Sequence, residues 1–125
     1  MTDVQKPTPR KFLKSTRLLK HADFQAVYKL GRRHFSSNIS AFYRRRDDNA
    51  GPRVGLTVGK VLGGAVQRNR IRRRLRAAVG QRLALLDRAV DVVLHPRKAV
   101  AVMDFGKLES EVEQIFASIQ KAETK

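Results

Sequence analysis

Seventeen of the 27 basic residues are arginine, and six of those arginines fall within the nine positions Arg68-Asn69-Arg70-Ile71-Arg72-Arg73-Arg74-Leu75-Arg76. A guanidinium is a planar fork of donors that matches phosphate groups and base edges, so the chemistry this run offers is polyanion binding. No carboxylate interrupts it, and like charges at helical spacing repel by roughly a few tenths of a kcal/mol per pair, a cost that stability alone does not explain. The other candidates for chemistry are thinner. His21, His34 and His95 are isolated, none in a metal-ligand spacing such as HExxH, and each reads as structural. Asp47 and Asp48 are adjacent and could serve two-metal nuclease chemistry. They sit, however, in Asp47-Asp48-Asn49-Ala50-Gly51-Pro52, whose composition is that of a turn. The sequence contains no recognisable active site of its own.

Two further constellations surround the arginine run. Gly63 and Gly64 precede it. They leave the first backbone N–H groups of a following helix open, and the positive end of its dipole adds to Arg68 and Arg70. The result suits a phosphate or a metal-bridged phosphate, with Asn69 able both to donate and to accept. The second constellation is aromatic. Phe24 and Tyr28 share one face of a predicted helix, and Phe42 has the strand parity of Ser40 and Arg44, so the three could line one groove. Stacking on such rings contributes about 1–3 kcal/mol per base and suits a single strand. Ordinary core packing explains Phe24 equally well, while Ile39, Ala41 and Tyr43 are expected to face the core.

The elements that must position these residues follow from periodicity. Ile71, Leu75, Ala78, Val79, Leu83 and Leu86 recur at intervals of three and four, which predicts a helix from about Val66 to Leu86 docked on a core. Upstream, Leu18, Leu19, Phe24, Val27 and Tyr28 belong to an amphipathic segment, with a helix over Ala22 to Leu30. Asp23 suits its positive end and Gly31 its stop. Two short strands are expected between Arg32 and Arg46. After the turn, Arg53 to Val58 alternates strictly, with Val54, Leu56 and Val58 on one face. Asp87 to Ala89 link to a buried strand, Val90 to His95, ended by Pro96. A strand, a long helix and a strand imply a crossover with parallel strands. Phe105 to Lys121 forms a last helix with Leu108, Val112, Ile115, Phe116 and Ile119 inward and Glu109, Glu111 and Glu113 outward. This order points to a small α+β sandwich, helices on a four-stranded sheet.

Composition bounds the rest. A chain of 125 residues with 42% hydrophobic content fits a single domain, expected over residues 16–121, with a flexible lead-in over 1–15 and a tail over 122–125. The formal charge of +16 opposes a compact fold unless a polyanion relieves it, and nucleic acid is the expected partner. The absence of cysteine excludes disulfide frameworks, zinc fingers and thiol catalysis. No apolar stretch approaches the roughly 18–20 residues of a membrane span, and the start lacks a signal-peptide core, so a cytoplasmic protein without a membrane partner is expected.

The strand Arg53-Val54-Gly55-Leu56-Thr57-Val58, then Lys60, Ala65-Val66, Arg68-Asn69-Arg70-Ile71-Arg72-Arg73 and Arg76, resembles the bacterial ribonuclease P protein subunit. Asp23-Phe24-Gln25-Ala26-Val27-Tyr28 and Gly31 resemble that family's first helix and its exit, and the likeness covers roughly Leu18 to Phe116. The resemblance implies an α+β two-layer sandwich with a four-stranded mixed sheet. Its order would be αβββαβα with a left-handed crossover, the ribosomal protein S5 domain 2-like fold, against the usual right-handed preference. It also implies an accessory to a catalytic RNA that removes the 5′ leader of precursor tRNA. Magnesium would be required through the RNA, no cofactor would be held by the protein, and no obligate protein partner is expected. By position, Lys60, Arg68, Asn69, Arg70, Arg72, Arg73 and Arg76 match the segment that contacts the catalytic RNA. Phe24, Tyr28 and Phe42 match the cleft for the precursor-tRNA leader, with Arg53 and Thr57 beside it. Val61 and Gly64 depart from the family pattern, which often has lysine and asparagine there, and Arg74 adds a cation where an aliphatic residue is common.

Two other classes fit parts of the sequence. A basic helix can enter the major groove of DNA, but the glycine loop and the groove aromatics favour folded RNA and single strands. A self-sufficient nuclease using Asp47, Asp48 and a histidine would be an enzyme in its own right.

Overall fold

The computed structural model describes residue 17 and residues 20–48, 50–86 and 89–123. The expected lead-in over 1–15, the apolar pair Leu18 and Leu19, Asn49 of the turn, Asp87 of the link and the last two residues of the tail lie outside them. The elements run α1 (His21–Leu30), β1 (Arg32–Phe35), β2 (Ile39–Arg45), β3 (Arg53–Leu56), α2 (Ala65–Arg82), β4 (Val90–Pro96) and α3 (Phe105–Glu123), the αβββαβα order. The sheet order is β1-β2-β4-β3. β1 and β4 pair antiparallel with β2, and β3 runs parallel to β4, so the sheet is mixed and α2 lies in the crossover.

Strand alternation decides which face each side chain serves. Ile39, Ala41 and Tyr43 of β2 and Val90, Val92 and Leu94 of β4 are buried on one face, with Val54 of β3. α2 and α3 close this face through Ile71, Leu75, Ala78 and Val79 and through Leu108, Val112, Ile115, Phe116 and Ile119. This is the main two-layer sandwich, and each fully buried Leu, Ile or Phe in it contributes about 1.5–3 kcal/mol. α1 lies across the opposite face, where Val27 packs on Val93 with Phe24 and Phe42 beside them. One short helix covers only part of a four-stranded face, and the uncovered part is the candidate cleft.

Four expectations require correction. β3 ends at Leu56 and not at Val58. α2 ends as an α-helix at Arg82, and Leu83–Leu85 tighten into a 3₁₀ turn that still delivers Leu86 to the core. Gly31 ends α1 as expected, with an extended rather than a left-handed backbone (φ −93°, ψ −177°). It is required for space instead, because a Cβ there would stand 2.3 Å from the Tyr43 carbonyl oxygen and 2.5 Å from that of Val27. β4 continues through Pro96, which pairs with Ile39 at the last position of the ladder. Glu111 does not point outward. Its carboxylate is buried and accepts from Ser36 Oγ (2.7 Å), Asn38 N (2.7 Å) and Asn38 Nδ2 (2.9 Å), tying α3 to the β1–β2 turn. The cause is the helical period, since Glu111 stands three residues after the inward Leu108 and four before the inward Ile115.

Candidate RNA-binding surfaces

The cleft is built by α1 and the second face of the sheet. Phe42 and Val93 pair across β2 and β4, and Ser40 pairs with His95, so all four point to the α1 side. The Tyr28 ring meets Phe42 edge-on at 5.4 Å between centroids, and His95 stands 4.9 Å from Phe42 and 5.6 Å from Tyr28. The Tyr28 hydroxyl is 2.8 Å from His95 Nε2 and 3.1 Å from Thr57 Oγ1. Tyr28 remains 37% exposed, so its ring is fixed in orientation yet open to a ligand. Phe24 is partly buried against Val27 and Val93 and supports the cleft from below. The structure thus brings Tyr28, Phe42 and Thr57 together and adds His95, whose imidazole is held below its usual pKa by burial. In the sequence His95 stands isolated and reads as structural, so its place in the cleft is not evident there. Its parity with Asp91 and Val93 was the available signal.

Arg53 borders the cleft with its guanidinium already engaged. Its Nε and Nη2 donate to Asp91 Oδ1 and Oδ2 at 2.9 Å each, which raises its pKa further, and its Nη1 lies 3.5 Å from Asp23 Oδ2 on α1. Arg46 Nη1 also donates to Asp91 Oδ1 at 2.6 Å. Asp91 is fully buried. The two arginines supply the donors and countercharge that a carboxylate without solvent lacks.

On the other side of the molecule, α2 displays the arginines. Gly63 takes φ +124°, a region L side chains rarely adopt, and its carbonyl accepts from Arg68 Nε at 3.1 Å. Gly64 occupies the cap position with no side chain to take the first N–H groups. Asn69 Oδ1 accepts from Arg72 Nη1 at 2.9 Å, so the two present a joined polar edge. Lys60, Arg70, Arg73 and Arg76 are exposed. Partial burial, then Arg17 and Arg72 as like charges, lower the pKa of Arg76, so cationic groups converge on this flank. Arg74 turns away, donating to the Met103 carbonyl with its guanidinium 5.7 Å from the Phe105 ring centroid.

Three carboxylates are engaged by protein donors, which does not fit them to hold a magnesium ion. Asp48 is committed to Arg46 and the Ala50 N–H, which lower its pKa, while Asp91 is committed to two arginines and Glu111 to Ser36 and Asn38. Among the described residues no three His, Asp or Glu cluster as a metal site.

The model of the ribonuclease P family matches residues 12–120. The chain belongs to the ribonuclease P protein family. Within this family it is 38% identical to the ribonuclease P protein component of Acidothermus cellulolyticus over 104 residues, which cover 82% of this chain and 87% of that one. The corresponding protein of Finegoldia magna is 35% identical over 97 residues, covering 78% and 84%. Among solved structures, the RNase P protein of Staphylococcus aureus superposes with a TM-score of 0.74 at 26% identity, covering 86% of this chain and 97% of that one. Family membership thus agrees with the mixed four-stranded sheet and the element order of the fold.

Proposed function

We propose that this ribonuclease P family member is the protein subunit of the enzyme. In this reading it binds the catalytic RNA through Lys60, Arg68, Asn69, Arg70, Arg72, Arg73 and Arg76. The 5′ leader of precursor tRNA lies as a single strand in the cleft of Phe24, Tyr28, Phe42 and Thr57. Cleavage and its magnesium ions belong to the RNA, and the protein works in the cytoplasm. The carrying observation is the back-to-back arrangement: an oriented aromatic cleft on the α1 face and a carboxylate-free arginine surface on α2. Stacking rings select unpaired bases, whereas rigidly held guanidinium groups on a helix neutralise folded RNA. Arg53 serves this function by pinning α1 to the sheet through Asp23 and Asp91. No described helix is long and apolar enough to cross a membrane.

The test is reconstitution with the cognate catalytic RNA. Cleavage of precursor tRNA at low magnesium should rise on adding the protein, and unchanged cleavage would defeat the proposal. If some four to seven phosphates are neutralised, log affinity for the catalytic RNA should fall against log salt with a slope of roughly −3 to −6.

A further inference from the structure

The face that holds the cleft continues to the sheet edge. Phe35 of β1 pairs with Ser40 of β2, and Ser40 pairs with His95 of β4, so these three form one row across the strands. The neighbouring row is Arg33, Phe42, Val93 and Gly55. α1 covers that second row at Val27, whereas the first row lies open beside Tyr28. Phe35 is 65% exposed, and the Arg33 guanidinium carbon stands 5.9 Å from its ring centroid. Two strand spacings separate Phe35 from His95, about 10 Å. An exposed phenylalanine does not protect an edge strand, a task for which Arg32 and Arg33 on the same strand already suffice.

We propose that Phe35 is an additional base-stacking position at the far end of the cleft, with Arg33 beside it for the phosphate. A strand would reach it after passing Tyr28 and His95. The inference rests on the reading of the cleft as the leader site. Charge favours RNA as the occupant. On this side of the sheet β1 and β2 contribute Arg33 and Arg44, and the carboxylates Asp23 and Asp91 there are paired with arginine. An apolar protein segment would gain nothing from a guanidinium held at the ring. A base gains both a π surface and a countercharge.

The experiment uses holoenzyme reconstituted with the catalytic RNA and a series of precursor tRNAs with leaders lengthened one nucleotide at a time. The wild-type protein should gain affinity with leader length until the strand reaches β1. Phe35→Ala should remove the last increment, about tenfold, within the range for one stacked base. Phe35→Trp should retain that increment and Phe35→Leu should lose it, which separates stacking from simple apolar contact. Because Phe35 is exposed, thermal melts of all three variants should match the wild type. Wild-type affinity with Phe35→Ala on every leader, an equal loss on all leaders, or full retention by Phe35→Leu would overturn the proposal. A wild-type protein indifferent to leader length would overturn the cleft reading itself, and this inference with it.

Discussion

Arg53 and Asp91 form a two-point ion pair, 2.9 Å on each side, in which the carboxylate is fully buried and the guanidinium reaches on to Asp23 of α1. One buried charge therefore joins β3 and β4, reaches α1 through Arg53, and also holds Arg46. Replacing Asp91 with alanine leaves two arginines facing an empty, dry site. The expected cost is about 3–5 kcal/mol, a large share of the roughly 5–15 kcal/mol that holds such a domain together. Urea denaturation of Asp91→Ala measures it, and an unchanged midpoint would mean the pair contributes nothing.

The two RNA surfaces should separate by substitution. Arg70→Ala, at an exposed position, should weaken assembly with the catalytic RNA by about 1–3 kcal/mol and flatten the salt slope by about one unit. Tyr28→Ala should weaken precursor-tRNA binding and leave assembly largely intact. Filter-binding titrations of both variants in both assays would show it. Equal effects of each on both steps would mean that the division is drawn wrongly.

Burial lowers the His95 pKa, and the sign of its pH effect follows. Between that lowered value and about 6.5, the unfolded chain binds a proton that the folded chain does not. Stability from His95 is therefore complete above about pH 6.5 and is lost as pH falls toward the folded value. The groups facing the ring are the Tyr28 hydroxyl and the Phe42 ring, with Ser40 its partner across the ladder. Calorimetry should give a smaller fall in Tm on acidification for His95→Gln than for wild type, the difference cancelling everything the two proteins share. Equal falls would show that His95 does not report on folding.

Gly31→Ala should be more damaging than an ordinary glycine substitution, since the added carbon meets two backbone carbonyl oxygens that no rotamer change can move. Overpacking typically costs about 1–3 kcal/mol, and this position should reach or exceed the top of that range. The damage should centre on α1, so hydrogen exchange should show His21–Leu30 opening before β2 and β4. Uniform loss of protection would argue against a local cause.

Much of this molecule is legible in one dimension because its signals are local. The alternation over Arg53 to Val58, the spacing of Ile71, Leu75, Ala78 and Val79, and the turn composition from Asp47 to Pro52 each determine an element through neighbours along the chain. The run of arginines, with its chemistry, is likewise a property of sequence. The tertiary structure alone decided which side chains meet. The helical period turns Glu111 inward, but the donors that satisfy its carboxylate there, Ser36 and Asn38, come from more than seventy residues earlier. That His95 belongs to the cleft depends on Tyr28, 67 residues away. Arg53 and Arg74 look like free cations in the sequence, yet a buried carboxylate holds one and a backbone carbonyl the other. Periodicity reports which face a residue occupies, but the partner on that face is supplied by distant chain, and partnership decides whether a charge holds the fold or remains open for RNA.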